Sequence, residues 1–119
     1  MLVPDRPETV MSCVYGPIPA NPGSSTLIGS RDVSGSIMQV RALLNALPVI
    51  PPGEVFSCPA DIGSQIELRF TYPDRHHVIV AINLTGCQFA SNGLIRARTT
   101  VHAQSVLARL FGVRFGISP

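Results

Sequence analysis

Between Gln65 and Leu84, two runs of alternating apolar and polar residues flank a short turn, and this pattern leaves the chain few ways to fold. Ile66, Leu68, Phe70 and Tyr72 alternate with Gln65, Glu67, Arg69 and Thr71; after the turn, Val78, Val80, Ile82 and Leu84 alternate with His77, Ile79, Ala81 and Asn83. Such a period of two marks strands buried on one face. A slip of one residue would turn one arm's apolar set to water, so the arms must pair Phe70 with Val78, Leu68 with Val80 and Ile66 with Ile82. Pro73-Asp74-Arg75 is then the loop. Pro73 fixes a negative φ, which excludes a two-residue type I′ turn and suits a type I turn closed by a left-handed residue, here Arg75. Glycine would take that conformation more easily, so the tip either carries strain or uses a longer loop.

Extended backwards, the same register sets Cys58 opposite Ala90 and Cys87 opposite Asp61, bringing both cysteines to the open end of the hairpin. A bridge there closes a loop of about thirty residues and stabilises by about 3–4 kcal/mol, less any strain. The alternative is a pair of reduced thiols that are neighbours by accident. The third cysteine, Cys13, reads as a buried small hydrophobe in a strand and not as a reactive thiolate, with a partner in trans or exchange with Cys58 or Cys87 as the alternatives.

Around the hairpin the chain reads as one domain, 1–119, with a polar, proline-rich leading segment at 1–9 and a tail at 113–119, both of uncertain order. Val10–Tyr15 has apolar residues on both faces and reads as a short buried strand. Gly16–Ser25, with Pro17, Pro19 and Pro22, reads as a surface loop, and Thr26–Ser30 adds a short extended piece. A first helix starts at an N-cap Ser34, turns Ile37, Val40, Leu43, Leu44 and Leu47 to the sheet and Arg41 and Asn45 away from it, and stops at Pro48. Pro48–Gly53 is a stiff connector. Asn92-Gly93 either joins two short strands or leads into a single edge strand at Leu94–Arg98. Thr99 or Thr100 caps a second helix with an Ala103, Val106, Leu107, Leu110 and Phe111 stripe, ended by Gly112. The resulting fold is α+β: a small antiparallel-rich sheet of three to four strands with two helices packed on one face.

No chemical motif stands out, and no cofactor is expected. Three cysteines exclude a four-thiolate zinc site, and adjacent His76 and His77 on a strand point to opposite faces and cannot chelate one metal. His102 is assigned a packing or capping role. Glu67 and Arg69 share the outer face and suit an exposed ion pair. There is no G-x-S-x-G, no cysteine-protease context and no glycine-rich phosphate loop after a strand. The formal charge of +2 comes from nine arginines scattered along the chain, without the basic stripe a nucleic acid would require. No apolar run reaches the length of a transmembrane helix, about 20 residues. Pro4, Asp5, Pro7 and Glu8 break up any apolar core, so no signal peptide is expected in Met1–Val10; Val10-Met11-Ser12-Cys13 resembles a lipoprotein signal end only superficially.

Cys13-Val14-Tyr15, Leu43-Leu44-Asn45-Ala46-Leu47-Pro48, Ser57-Cys58-Pro59-Ala60-Asp61-Ile62-Gly63, Phe70-Thr71-Tyr72-Pro73-Asp74 and Gly86-Cys87-Gln88-Phe89-Ala90-Ser91-Asn92-Gly93 occur in one order along most of the chain. In that combination the chain resembles uncharacterised secreted proteins and lipoproteins of actinobacteria. The resemblance implies export and a disulfide, and it implies no activity. The chain departs from the family in carrying Arg75 where the turn tends to have glycine.

The expected function is therefore a small extracytoplasmic binding or interaction module without catalysis, whose partner is an unknown protein or cell-envelope component. Its candidate contacts are Glu67, Arg69, His77 and Ile79 on the outer sheet face, with the loops Pro73–His77 and Gly86–Gly93. The alternatives are a cytosolic or phage-associated accessory domain with reduced cysteines, and a hydrolase with an unrecognised site.

Overall fold

The hairpin lies at the centre of a larger sheet than its own pattern implies. A computed structural model describes residues 1–18, 21–59 and 61–116. In chain order the elements are β1 (Thr9–Ile18), β2 (Asn21–Asp32), α1 (Ile37–Asn45), β3 (Val49–Ile50), β4 (Gln65–Thr71), β5 (His77–Asn83), β6 (Phe89–Ser91), β7 (Arg96–Arg98) and α2 (Val101–Phe111). The strands form one sheet in the order β2-β1-β4-β5-β6-β7-β3, and every neighbouring pair is antiparallel. The fold is α+β, with seven strands among the described residues where three to four were expected.

The additional strands are those whose sequences hide them. Gly16–Ser25 was expected to be a loop, but β1 runs to Ile18 and β2 starts at Asn21; Pro19 lies outside the described residues. Prolines are tolerated there because β1 leaves β4 at the Tyr15–Gln65 pair and β2 has no second neighbour, so little of this hairpin's tip needs an N–H on both sides. Val49–Ile50, inside the expected connector, pairs with β7 over only two residues, too few for alternation to register. Asn92-Gly93 joins two short strands, with Asn92 Oδ1 accepting from the N–H groups of Leu94 and Ile95, both at 2.9 Å.

The central register is the expected one: Phe70 opposite Val78, Leu68 opposite Val80 and Ile66 opposite Ile82. Arg75 N–H donates to Tyr72 O (2.8 Å), Tyr72 N–H donates to His76 O (3.0 Å), and Arg75 has φ 70°. The tip is thus a three-residue loop with Arg75 in the left-handed region. Ile66, Leu68, Phe70, Val80 and Ile82 are fully buried and share one cluster with Val40 and Leu44 of α1 and Ala103, Leu107 and Phe111 of α2. Thr100 caps α2 by accepting from Ala103 N–H (3.1 Å), and Gly112, at φ 67°, ends it. His102 is exposed and is not the cap. Ser34 does not cap α1: its hydroxyl accepts from Val10 N–H (3.1 Å), extending the β1 ladder with a side chain.

Both ends of the chain join the core. Leu2 and Val3 are buried, as is Val113, and Gly116 N–H donates to Leu84 O (2.6 Å); residues 117–119 lie outside the described residues. The leading segment is held by the side of α1 expected to face solvent. Val3 N–H donates to Asn45 Oδ1 (2.8 Å) and Asn45 Nδ2 donates back to Val3 O (2.9 Å). Arg41 donates to Val3 O (3.2 Å) and forms an ion pair with Asp5 (2.6 Å). Tyr72 and Asn92 complete the strap by donating to Pro4 O (2.8 Å) and Leu2 O (3.2 Å). The i, i+4 polar residues of α1 therefore satisfy the backbone of a segment whose two apolar side chains complete the core.

Asn45→Ala leaves part of this buried backbone unpaired and is expected to cost about 2 kcal/mol, seen as a fall in Tm of about 5–10 °C. Arg75→Gly relieves a left-handed cost of about 1–2 kcal/mol against about 0.5–1 kcal/mol of added chain entropy, so its Tm rises slightly or holds, whereas Arg75→Val lowers it.

Candidate binding surface

Because strand side chains alternate, covering one face of the sheet with both helices defines the other. Rows of paired residues run across this outer face: Thr9, Thr71 and His77; Met11, Arg69 and Ile79; Cys13, Glu67 and Ala81; Tyr15, Gln65 and Asn83. The four sequence-predicted contacts thus share one face. Arg69, His77 and Ile79 are exposed, and Glu67 is half-buried. Arg69 and Ile79 are direct cross-strand partners. Glu67 accepts from Gln65 Nε2 (3.4 Å), and no Glu67–Arg69 ion pair forms among the described residues.

β1 adds what the sequence reading missed. Val10 and Ser12 are buried on the core side, Ser12 Oγ donating to Arg31 O (3.3 Å), so Met11, Cys13 and Tyr15 turn outward. Cys13 is accordingly a free, half-buried thiol on the outer face and not a core residue. Apolar residues at both parities of β1 concealed this orientation; only pairing with β4 assigns the face. Tyr15 sits where the Glu67 carboxylate, then partial burial and Cys13, raise its hydroxyl pKa above the ordinary value, with Arg69 opposing.

The far third of the outer face is partly covered. Phe89 and the arginines of β7 alternate with fully buried Ala90 and Ala97, so they point outward. Phe56 meets Phe89 edge-on at 5.0 Å, the Arg98 guanidinium lies over Phe56 at 4.9 Å, and Arg96 lies over Phe89 at 5.5 Å. The Cys58–Cys87 disulfide, with Cα atoms 5.0 Å apart, pins this covering segment. The bridge joins the predicted residues, but the extended register does not hold. Past Ser64–Leu84 the arms leave the ladder, Thr85 Oγ1 donating to Asp61 Oδ1 (2.8 Å), and Gly86 (φ 71°) and Gln88 (φ 57°) turn the chain back. Ala90 then pairs with Ile82 and Ala97 instead of lying opposite Cys58. For the same reason Gly86–Gly93 is mostly not an exposed loop: Thr85 and Ala90 are buried, residues 86–89 and 91–92 half-buried, and only Gly93 is exposed.

Two histidines close the hairpin end. His77 Nδ1 shares a hydrogen bond with Thr71 Oγ1 (3.0 Å) on the open face; among the described residues no acid is hydrogen-bonded to this ring, as the base of a nucleophile would require. His76 stacks on Tyr72 (4.4 Å between centroids) and bonds Asp74 through its ring and its backbone N–H. Among the described residues no three metal-ligating groups converge, and no helix is long and apolar enough to cross a membrane. No family model, curated protein or solved structure matches the chain.

Hydrogen bonds from the His76 side chain and backbone hold the Asp74 carboxyl below its ordinary value. A carboxyl whose folded pKa is depressed adds stability above its unfolded pKa and loses it as pH falls through the folded one. His76→Ala is therefore expected to return the Asp74 titration midpoint, followed by carboxyl NMR, toward the ordinary carboxylate range and to remove this contribution to acid sensitivity. An unchanged midpoint would assign the shift to another cause.

Proposed function

We propose that the protein is a small extracytoplasmic binding module, without catalysis, that docks an unidentified protein or cell-envelope component on the open outer face of β1, β4 and β5. The observation that carries this reading is the row Met11, Arg69 and Ile79. Met11 and Ile79 are 45% and 38% exposed on either side of one guanidinium, with Glu67, Thr71 and His77 around them. Exposed apolar groups inside a charged and polar rim have the composition of a protein-docking surface. The Cys58–Cys87 bridge is compatible with an oxidising compartment, and the resemblance to secreted actinobacterial proteins points the same way.

Two measurements test the proposal. A photoreactive side chain at Ile79, in protein produced in its source organism, is expected to capture one discrete envelope component that the same group at exposed Val55 does not, and Arg69→Glu should weaken capture about tenfold. Equal capture from both positions would remove the outer face as the site. Alkylation of unreduced protein is expected to modify Cys13 alone, with Cys58 and Cys87 reacting only after reduction; three reactive thiols in unreduced protein would overturn the extracytoplasmic reading.

A further inference from the structure

The sheet has a second surface, independent of its outer face. β2 is twelve residues long and ends the sheet, and every residue from Ser25 to Asp32 is exposed. Edge strands normally carry guards against further pairing: shortness, a lysine, an inward charge, a proline or a bulge. Between Asn21 and Ser30 β2 carries no charge at all. Its guards are Pro22 near the tip and a bulge at Ile28, which falls between the Val14–Gly29 and Tyr15–Leu27 pairs. Leu27 and Ile28 are 53% and 66% exposed.

The free backbone groups can be assigned. Val33 N–H donates to Val10 O, and antiparallel ladders alternate, so Arg31 and Gly29 direct their N–H and C=O toward β1 while Ser30 and Asp32 direct theirs outward. Beyond the bulge the same alternation turns Leu27 and Ser25 outward.

We infer that this edge is a self-association site, at which two copies of the chain pair β2 against β2 antiparallel about a two-fold axis. The strand is complementary to itself in one register. Leu27 of each copy lies opposite Ser30 of the other, Ile28 opposite Gly29, Ser25 opposite Asp32 and Thr26 opposite Arg31. Large residues meet small ones, the bulged Ile28 meets a residue without a side chain, and no like charges are opposed. The outward groups match in pairs, allowing up to about eight interchain hydrogen bonds. Such a contact is isologous and closed, so it yields a dimer and not a fibre. The net charge of +2 adds little repulsion between copies.

Sedimentation velocity of the full chain carrying Cys13→Ser, which excludes covalent dimers through that thiol, tests the inference. A reversible dimer is expected, with a Kd of roughly 10–100 μM for an interface of this modest size. Ser30→Pro removes an outward N–H and leaves the bonds to β1, and Leu27→Lys adds the missing guard; each is expected to weaken the dimer at least about tenfold while keeping a cooperative melt. Should Ser30→Pro fail to fold, Leu27→Lys alone decides the outcome. A protein that stays monomeric well above this range overturns the inference. So does a dimer that persists in a folded variant, including one that Leu27→Lys dissolves but folded Ser30→Pro leaves intact, because that dimer uses side chains and not the backbone edge.

Discussion

The pairing of β4 with β5 is the constraint on which the rest depends. Phe70 with Val78, Leu68 with Val80 and Ile66 with Ile82 place five fully buried side chains and the half-buried Val78 on one plane. Any other parity would expose one arm's set, so this pairing decides which side of the sheet the helices cover. β1 inherits the same parity through Val10 opposite Phe70 and Ser12 opposite Leu68. From there the outward direction of Met11, Cys13 and Tyr15 follows without further interactions.

The edges of this plane are closed with polar chemistry more than with apolar area. Asn45 and Arg41 satisfy the backbone of the leading segment, allowing Leu2 and Val3 to enter the core. Thr85 and Asp61 bridge the point where the central arms separate, and the disulfide fastens the next residues. The same fastening sets Phe56 against Phe89 and under the Arg98 guanidinium, so the outer face is divided into a partly covered third and an open remainder. The open remainder and the bare edge of β2 are perpendicular surfaces of one sheet. The first presents side chains and the second backbone groups.

Much of the candidate surface was legible in the chain itself. Glu67, Arg69, His77 and Ile79 occupy one parity of two clearly alternating arms, and alternation is enough to place them together. Arg75 was legible in part, because Pro73 and the register made it the left-handed position of a three-residue tip, with a longer loop as the alternative that the structure does not adopt. β1 was not, since Met11 and Tyr15 are as apolar as Val10 and Val14 and local pattern cannot choose between faces that both read as buried. Nor was the first half of β2: Thr26–Ser30 reads as a short extended piece, but Asn21–Ser25, with Pro22, Gly23 and two serines, carries no strand signal and takes its place from the strand it pairs with.

Taken alone, the sequence determined the α+β class, the central register and both helices, because these rest on the spacing of apolar residues; between a strained three-residue tip and a longer loop, and between a cysteine bridge and reduced thiols, the structure chose. Tertiary structure decided the rest: the seven-strand width, the core role of Leu2 and Val3, the outward turn of Cys13 and the path of the chain after Gly86. These depend on which distant segment lies alongside, and hydrogen bonds between strands, unlike apolar periodicity, leave no trace in the order of side chains.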